Sequence, residues 1–153
     1  MAVKTISGSS LVLGVDLDGT SPYSYTAVGG STSCTLNITQ ETIDVSNKES
    51  QGLKEFISGA KGWTIDCEAF FTQGTSDSAD ISVGGDGTAD SGWYPVLSSG
   101  DKIHVQFSTT TGQAGAASYA GEGFITSISI NAAVGEFATY SVSIQGTGSL
   151  TQS

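Results

Sequence analysis

His104 is the single histidine in this chain and sits mid-strand on the polar parity with Gln106, so it is the first candidate for a general base. A histidine activates a nucleophile only when a serine or cysteine is held against it, and no G-x-S-x-G elbow or comparable constellation accompanies this one. A strand-surface role accounts for it better. Asp66 and Glu68 share one face of an alternating stretch, as the two carboxylates of a glycosidase must share a cleft. With no partner strand defined, solvated strand charge is the favoured reading. Asp16 and Asp18, and then Asp77, Asp80, Asp86 and Asp90, could ligate calcium, but none follows the spacing of an EF-hand loop. Turns built from Gly and Asp have their own conformational reasons to exist. The glycines of 83–92 (VGGDGTADSG) lack the Lys-Ser/Thr that would complete a phosphate-binding loop. Cys34 and Cys67 show no CxxC spacing, which removes the usual zinc reading. Each shares strand parity with apolar residues, so buried reduced thiols are expected, with a disulfide as the alternative. The expectation is no enzyme, no cofactor and no metal site.

Period-2 alternation dominates the elements that would have to position these groups. Residues 10–16 (SLVLGVD) and 23–28 (YSYTAV) read as an opening hairpin across the polar turn 18–22. In 33–39, Cys34, Leu36 and Ile38 face one way; in 63–71, Trp63, Ile65, Cys67, Ala69 and Phe71 do the same. Ile103, Val105 and Phe107 alternate in 102–108. Two long strands follow, 119–131 with Phe124, Thr126, Ile128 and Ile130 on one side, and 136–146 with Ala138, Tyr140, Val142 and Ile144. The short NAAVG link between them predicts an antiparallel hairpin. Its other face, with Gly121, Gly123, Ile125, Ser127 and Ser129 beside Phe137, Thr139, Ser141, Ser143 and Gln145, is small and uncharged. Such a face suits contact with another copy or a passing polymer, although Ser and Thr are also common strand filler. One domain over 1–153 is expected, with 1–10 and 147–153 as flexible arms and 72–101 as a mobile Gly-, Ser- and Asp-rich loop. A helical turn starting at Pro95 is compatible with that loop.

Charge is sparse and uneven: fifteen acids, five lysines and no arginine, for a net charge of −10. That balance opposes a tight grip on phosphate backbones, and the missing guanidinium removes the bidentate fork most phosphate sites use. No stretch approaches the apolar length of a membrane span, and the first residues lack a secretory pattern. The cytosol, or a particle assembled there, is the expected location. Against this acidic background, 46–62 holds three lysines and two glutamates. Ser46 and Glu49 have capping-box spacing, and Leu53, Phe56 and Ile57 follow at i, i+3 and i+4, so a short helix ending at Gly59 is predicted. A cationic excursion on an anionic β-body suits a connector. Ile43, Asp44, Lys48, Leu53, Lys54, Phe56, Ile57 and Lys61 are its candidate inter-subunit contacts.

The run 41–63 (ETIDVSNKESQGLKEFISGAKGW), with the closing pattern 119–130 (YAGEGFITSISI) and 135–150 (GEFATYSVSIQGTGSL), resembles the bacteriophage major tail tube proteins, a family also found in gene-transfer-agent tails. The resemblance covers about 33–71 and 119–150. It implies a mainly β fold, an antiparallel β-sandwich or half-barrel with one short flanking α-helix and long loops. It further implies six copies in a ring, and rings stacked into a virion tail tube, alongside other tail proteins. DNA would pass through the lumen without specific binding. In the family, the segment after the third strand reaches a neighbouring ring, the role 41–62 would take here. Family members often carry a helix between the middle strands, where 74–92 is too rich in Gly, Ser and Asp to predict one.

Two other readings fit parts of the pattern. A syringe-type secretion-system ring protein would share the fold and the hexamer. A carbohydrate-binding β-sandwich would use Trp63, Trp93 and Tyr94 as exposed aromatic platforms; Trp63, at the head of an alternating strand, reads instead as core.

Overall fold

A computed structural model describes residues 11–17, 21–23, 25–28, 31–71, 92–109 and 118–152. Seven strands form one antiparallel sheet: β1 (Leu11–Asp16), β2 (Thr26–Ala27), β3 (Ser31–Asp44), β4 (Phe56–Phe70), β5 (Ile103–Thr109), β6 (Ser118–Asn131) and β7 (Thr139–Gln152). Their order across the sheet is β2-β1-β5-β6-β7-β4-β3, so β2 and β3 are its edges. A cleft of about 530 Å³ separates Leu11, Val12 and Phe107 from Ser31–Cys34 at the start of β3. The sheet therefore curls until its two sides face one another without closing, a mainly β half-barrel.

Alternation sets the core face. On β4, Trp63, Ile65, Cys67 and Ala69 point inward, and the register places Ile144, Val142 and Tyr140 of β7 beside the last three. Leu13, Val15, Ile103 and Val105 extend this face across β1 and β5. Burial of each large aliphatic side chain contributes about 1.5–3 kcal/mol. One helix, α1 (Trp93–Ser99), adds Trp93 and Val96 to the core and ends at Gly100, whose φ of 76° places it in the left-handed region. The Gly100 N–H returns to the Val96 carbonyl at 3.0 Å, the usual αL closure. Pro95 lies inside the first turn, where a missing N–H costs nothing; the helix starts two residues earlier than the expected turn.

Several expectations are corrected. No helix forms over 46–59; that segment is a loop with a single 3-10 turn (Lys48–Ser50) leading into β4. Residues 147–152 are not a loose arm but the end of β7, with Thr147 opposite Glu122 and Gln152 opposite Tyr119. The 1–10 arm and most of the expected 72–101 loop (72–91) lie outside the described residues, while 93–99 is α1. On β6 the predicted face breaks at a bulge between Ile125 and Ser127. A single extra residue reverses which side chains face inward. Ile125 and Ile128 both reach the core, and Phe124 is left outside. Cys34 and Cys67 are direct cross-strand partners, with Cα atoms 4.2 Å apart, and form a disulfide rather than the expected free thiols.

Candidate functional site

β3 and β4 outrun the sheet. β4 pairs with β7 from Thr64 to Phe70, whereas from Phe56 to Gly62 its register partners are on β3 alone. The two strands thus leave the body as a two-stranded arm with its tip at 45–55. Ile43 stands opposite Ile57, and Asp44 opposite Phe56. Near the base, Gly59 and Ala60 together oppose Glu41, a bulge that bends the arm. An added Cβ at Gly59 would sit 3.1 Å from the Glu41 Cβ, so the close approach there favours glycine.

The tip is closed by polar side chains on backbone groups. The Val45 N–H donates to the Glu55 carbonyl at 2.9 Å. The Ser46 N–H donates to Asp44 Oδ1 at 2.9 Å, and the Glu55 N–H donates to Ser46 Oγ at 2.8 Å. The Glu49 N–H donates to Asn47 Oδ1 at 2.8 Å. Asp44 is held below the ordinary carboxylate pKa, first by the Ser46 hydroxyl and then by the Ser46 N–H. Ser46 and Glu49, which suggested a capping box, are therefore parts of a turn: the hydroxyl serves Glu55, nine residues on. An isolated helix this short is marginal, and the hairpin instead pairs Phe56, Ile57 and Ser58 with Asp44, Ile43 and Thr42.

All eight candidate contact residues lie on this arm and are exposed. Lys48 and Lys54 are at the tip, with Leu53 between them in the chain at 74% exposure; Lys61 stands opposite Gln40 at the base. Ile43 and Ile57 share one face, and Phe56 lies on the other. Among the described residues the lysine–carboxylate pair is elsewhere, between Lys102 and Glu122 at 3.4 Å, so none of the three arm lysines is committed to a carboxylate.

The opposite end of the molecule holds two exposed apolar residues: Phe137, which the alternation places on the uncharged hairpin face, and Val134, in the link between the strands, which the alternation does not mark. In the β6–β7 turn, Val134 is fully exposed and Phe137 is 86% exposed. Phe70 meets Phe137 edge-on at 6.1 Å, and the Phe71 N–H donates to the Ala138 carbonyl at 2.8 Å. The available signal was an apolar pair inside a turn, where polar residues are the norm.

The chemical candidates are occupied structurally. His104 is covered by Tyr23, stacked at 3.8 Å, and its Nε2 lies 3.5 Å from Glu122 Oε1; it is more enclosed than a plain strand-surface residue. Asp66 Oδ1 accepts the Ser143 hydroxyl at 2.7 Å. No group of three potential metal ligands occurs among the described residues. Trp63 is 3% exposed, in line with a core reading, and Trp93 is fully buried, donating its indole N–H to the Tyr140 hydroxyl at 3.2 Å. Of the supposed glycan platforms only Tyr94 is exposed.

A family model described as phage tail tube protein matches residues 5–152. No curated protein matches the chain. Among solved structures, it is similar to a chain in the virion of a native gene transfer agent particle, at 20% identity and TM-score 0.72, over 97% of this chain and 99% of that one. A chain from the tail of an empty particle of that type, refined with C6 symmetry, gives 22% identity and TM-score 0.71 over 97% and 99%. The SPP1 tail tube gives 12% and 0.71, covering 97% of this chain and 78% of that chain. At these identities the likeness to the solved structures is one of fold.

Proposed function

This chain belongs to the phage tail tube protein family, whose members are structural, and on that premise we propose that it forms hexameric rings that stack into a virion tail tube. The observation that carries the reading is the β3–β4 arm, which leaves the sheet and presents uncommitted lysines and exposed apolar side chains. The six-fold symmetry of the similar gene-transfer-agent tail supports the ring number. Ile43, Asp44, Lys48, Leu53, Lys54, Phe56, Ile57 and Lys61 make the contact with a neighbouring ring. Head-to-tail contacts of this kind are heterologous: they close into rings in one direction and propagate as a filament in the other. The tube joins other tail proteins in the host cytoplasm, and DNA passes through its lumen. A chain with a net charge of −10 and no arginine repels phosphates, so the polymer slides without sticking.

Negative-stain electron microscopy of the purified protein tests the reading. Hollow rings with six-fold class averages, or tubes built from them, are expected. A monomer that stays monodisperse from dilute to concentrated solution, even with preformed tail tips added, would overturn it.

A further inference from the structure

We infer that the surface receiving the arm is the β6–β7 turn of the next copy, centred on Val134 and Phe137. This inference rests on the tube reading and adds the partner surface to it.

Three observations lead there. First, the most exposed large apolar side chains among the described residues are Val134, Phe137 and Leu53. Two are on the turn and the third is at the arm tip. Second, these sites lie at opposite ends of one strand: β4 starts at Phe56 in the arm and ends at Phe70 against Phe137. Fifteen residues of strand span about 50 Å, so translating a copy along β4 carries an arm towards a turn. Third, charge favours this pairing. Segments 66–71 and 129–141 hold Asp66, Glu68 and Glu136 and no lysine. The arm, although 41–62 also holds Glu41, Asp44, Glu49 and Glu55, presents its three lysines, Lys48, Lys54 and Lys61, exposed and without a carboxylate partner among the described residues. Arm-to-arm contact would instead be isologous and produce closed pairs rather than a continuing stack. Exposed apolar side chains gathered at both ends of one molecule fit surfaces covered on assembly. Leu53 and Phe56 would then bury against Val134, Phe137 and Phe70, with the lysines reaching the carboxylates at the rim.

The test is complementation between two variants. Val134→Ser/Phe137→Ser removes the receiving surface, and Leu53→Ser/Phe56→Ser removes the inserting one. All four side chains are exposed, so thermal unfolding should stay close to wild type; Val134→Ser alone is the fallback if the double variant folds poorly. Each double variant alone should need roughly a hundredfold higher concentration to form tubes. Mixed in equal amounts, the pair retains one intact interface of the two a stack requires, and should give complexes two layers deep that do not elongate. Turn-variant tubes at wild-type concentrations would overturn the inference and leave the tube reading standing. Two assembly-defective variants that give no finite complex on mixing would overturn it as well. Wild-type protein that forms neither rings nor tubes, even with preformed tail tips added, would remove the tube reading itself, and this inference with it.

Discussion

Gly146 on β7 lies under the indole of Trp63, and a Cβ there would overlap the ring. Gly121 on β6 borders the same ring, with an added Cβ 2.7 Å from Cζ2. The tryptophan is thus seated on two glycines of neighbouring strands, where the arm leaves the body. Gly146→Ala must displace either the backbone or the indole, and overpacking of this kind costs about 1–3 kcal/mol. Thermal unfolding should fall by roughly 3–10 °C. Gly52→Ala is the control: nothing lies within 4 Å, and only the backbone penalty of its φ of +81° is incurred. Equal losses in both variants would mean that the ring contact is not what matters. A different residue-scale effect belongs to Tyr25, whose hydroxyl is raised above 10.0 by burial, then by Asp16 and Tyr23. The folded state therefore holds that proton more tightly than the unfolded chain. Its contribution is complete below the ordinary tyrosine value and is lost as pH rises through the folded value. Tyrosinate absorbance should show Tyr25 titrating late, with stability declining across the same alkaline window; Tyr25→Phe should abolish that decline. Trp63 was legible as core because it heads an alternating strand. Trp93 was not, because the Gly-, Ser- and Asp-rich run before it hides a helix of only seven residues.

At the scale of elements, stretches with an unbroken inward parity were readable, as in the first half of β7 with Tyr140, Val142 and Ile144. Its end was not, because the register with β6 shifts between Thr147 and Thr151. β6 was half readable, because its bulge changes parity without any marker in composition. The 46–59 stretch is a loop and strand where a helix is predicted. Leu53, Phe56 and Ile57 satisfy a helical stripe, but only Phe56 and Ile57 lie in β4, and their partners Asp44 and Ile43 are distant in sequence. Tertiary pairing overrides so short a local signal. The latch at the tip can be separated from the arm itself. Ser46→Ala removes the acceptor for the Glu55 N–H and the hydroxyl that donates to Asp44. Hydrogen exchange of the amides in 45–55 should accelerate while the core strands keep their protection, with global unfolding within about 1 °C of wild type. The same latch is acid-sensitive. Asp44 is depressed in the folded state, so its contribution is present above the ordinary value of 3.8 and is lost as pH falls through the folded value. Ser46→Ala exchange at 45–55 that matches wild type would show that strand pairing alone holds the tip.

For the whole molecule, the question is how acidic subunits stack at all. Each copy carries a net charge of −10, so bringing rings together adds a repulsion that something local must offset. Two features of the arm could do it: Lys48, Lys54 and Lys61, or the apolar set Ile43, Leu53, Phe56 and Ile57. They respond differently to salt. Exposed charge attractions are screened beyond about 10 Å at 0.1 M ionic strength, whereas burial of apolar surface is little affected. Repulsion between like-charged bodies is screened too, so net assembly alone does not separate the two accounts. The triple variant Lys48→Glu/Lys54→Glu/Lys61→Glu does. It moves the net charge from −10 to −16 while leaving the core untouched, because all three lysines are exposed. If the lysines dock the arm, this protein should fold normally and form no tubes at low salt, and added salt should restore little, since the attraction itself has been reversed. If apolar contact dominates and lysines only lessen repulsion, the variant should assemble once salt screens the extra charge, to tubes of wild-type length. Tube length by electron microscopy across a salt series decides between them, and wild-type length at low salt would show that neither charge effect governs stacking.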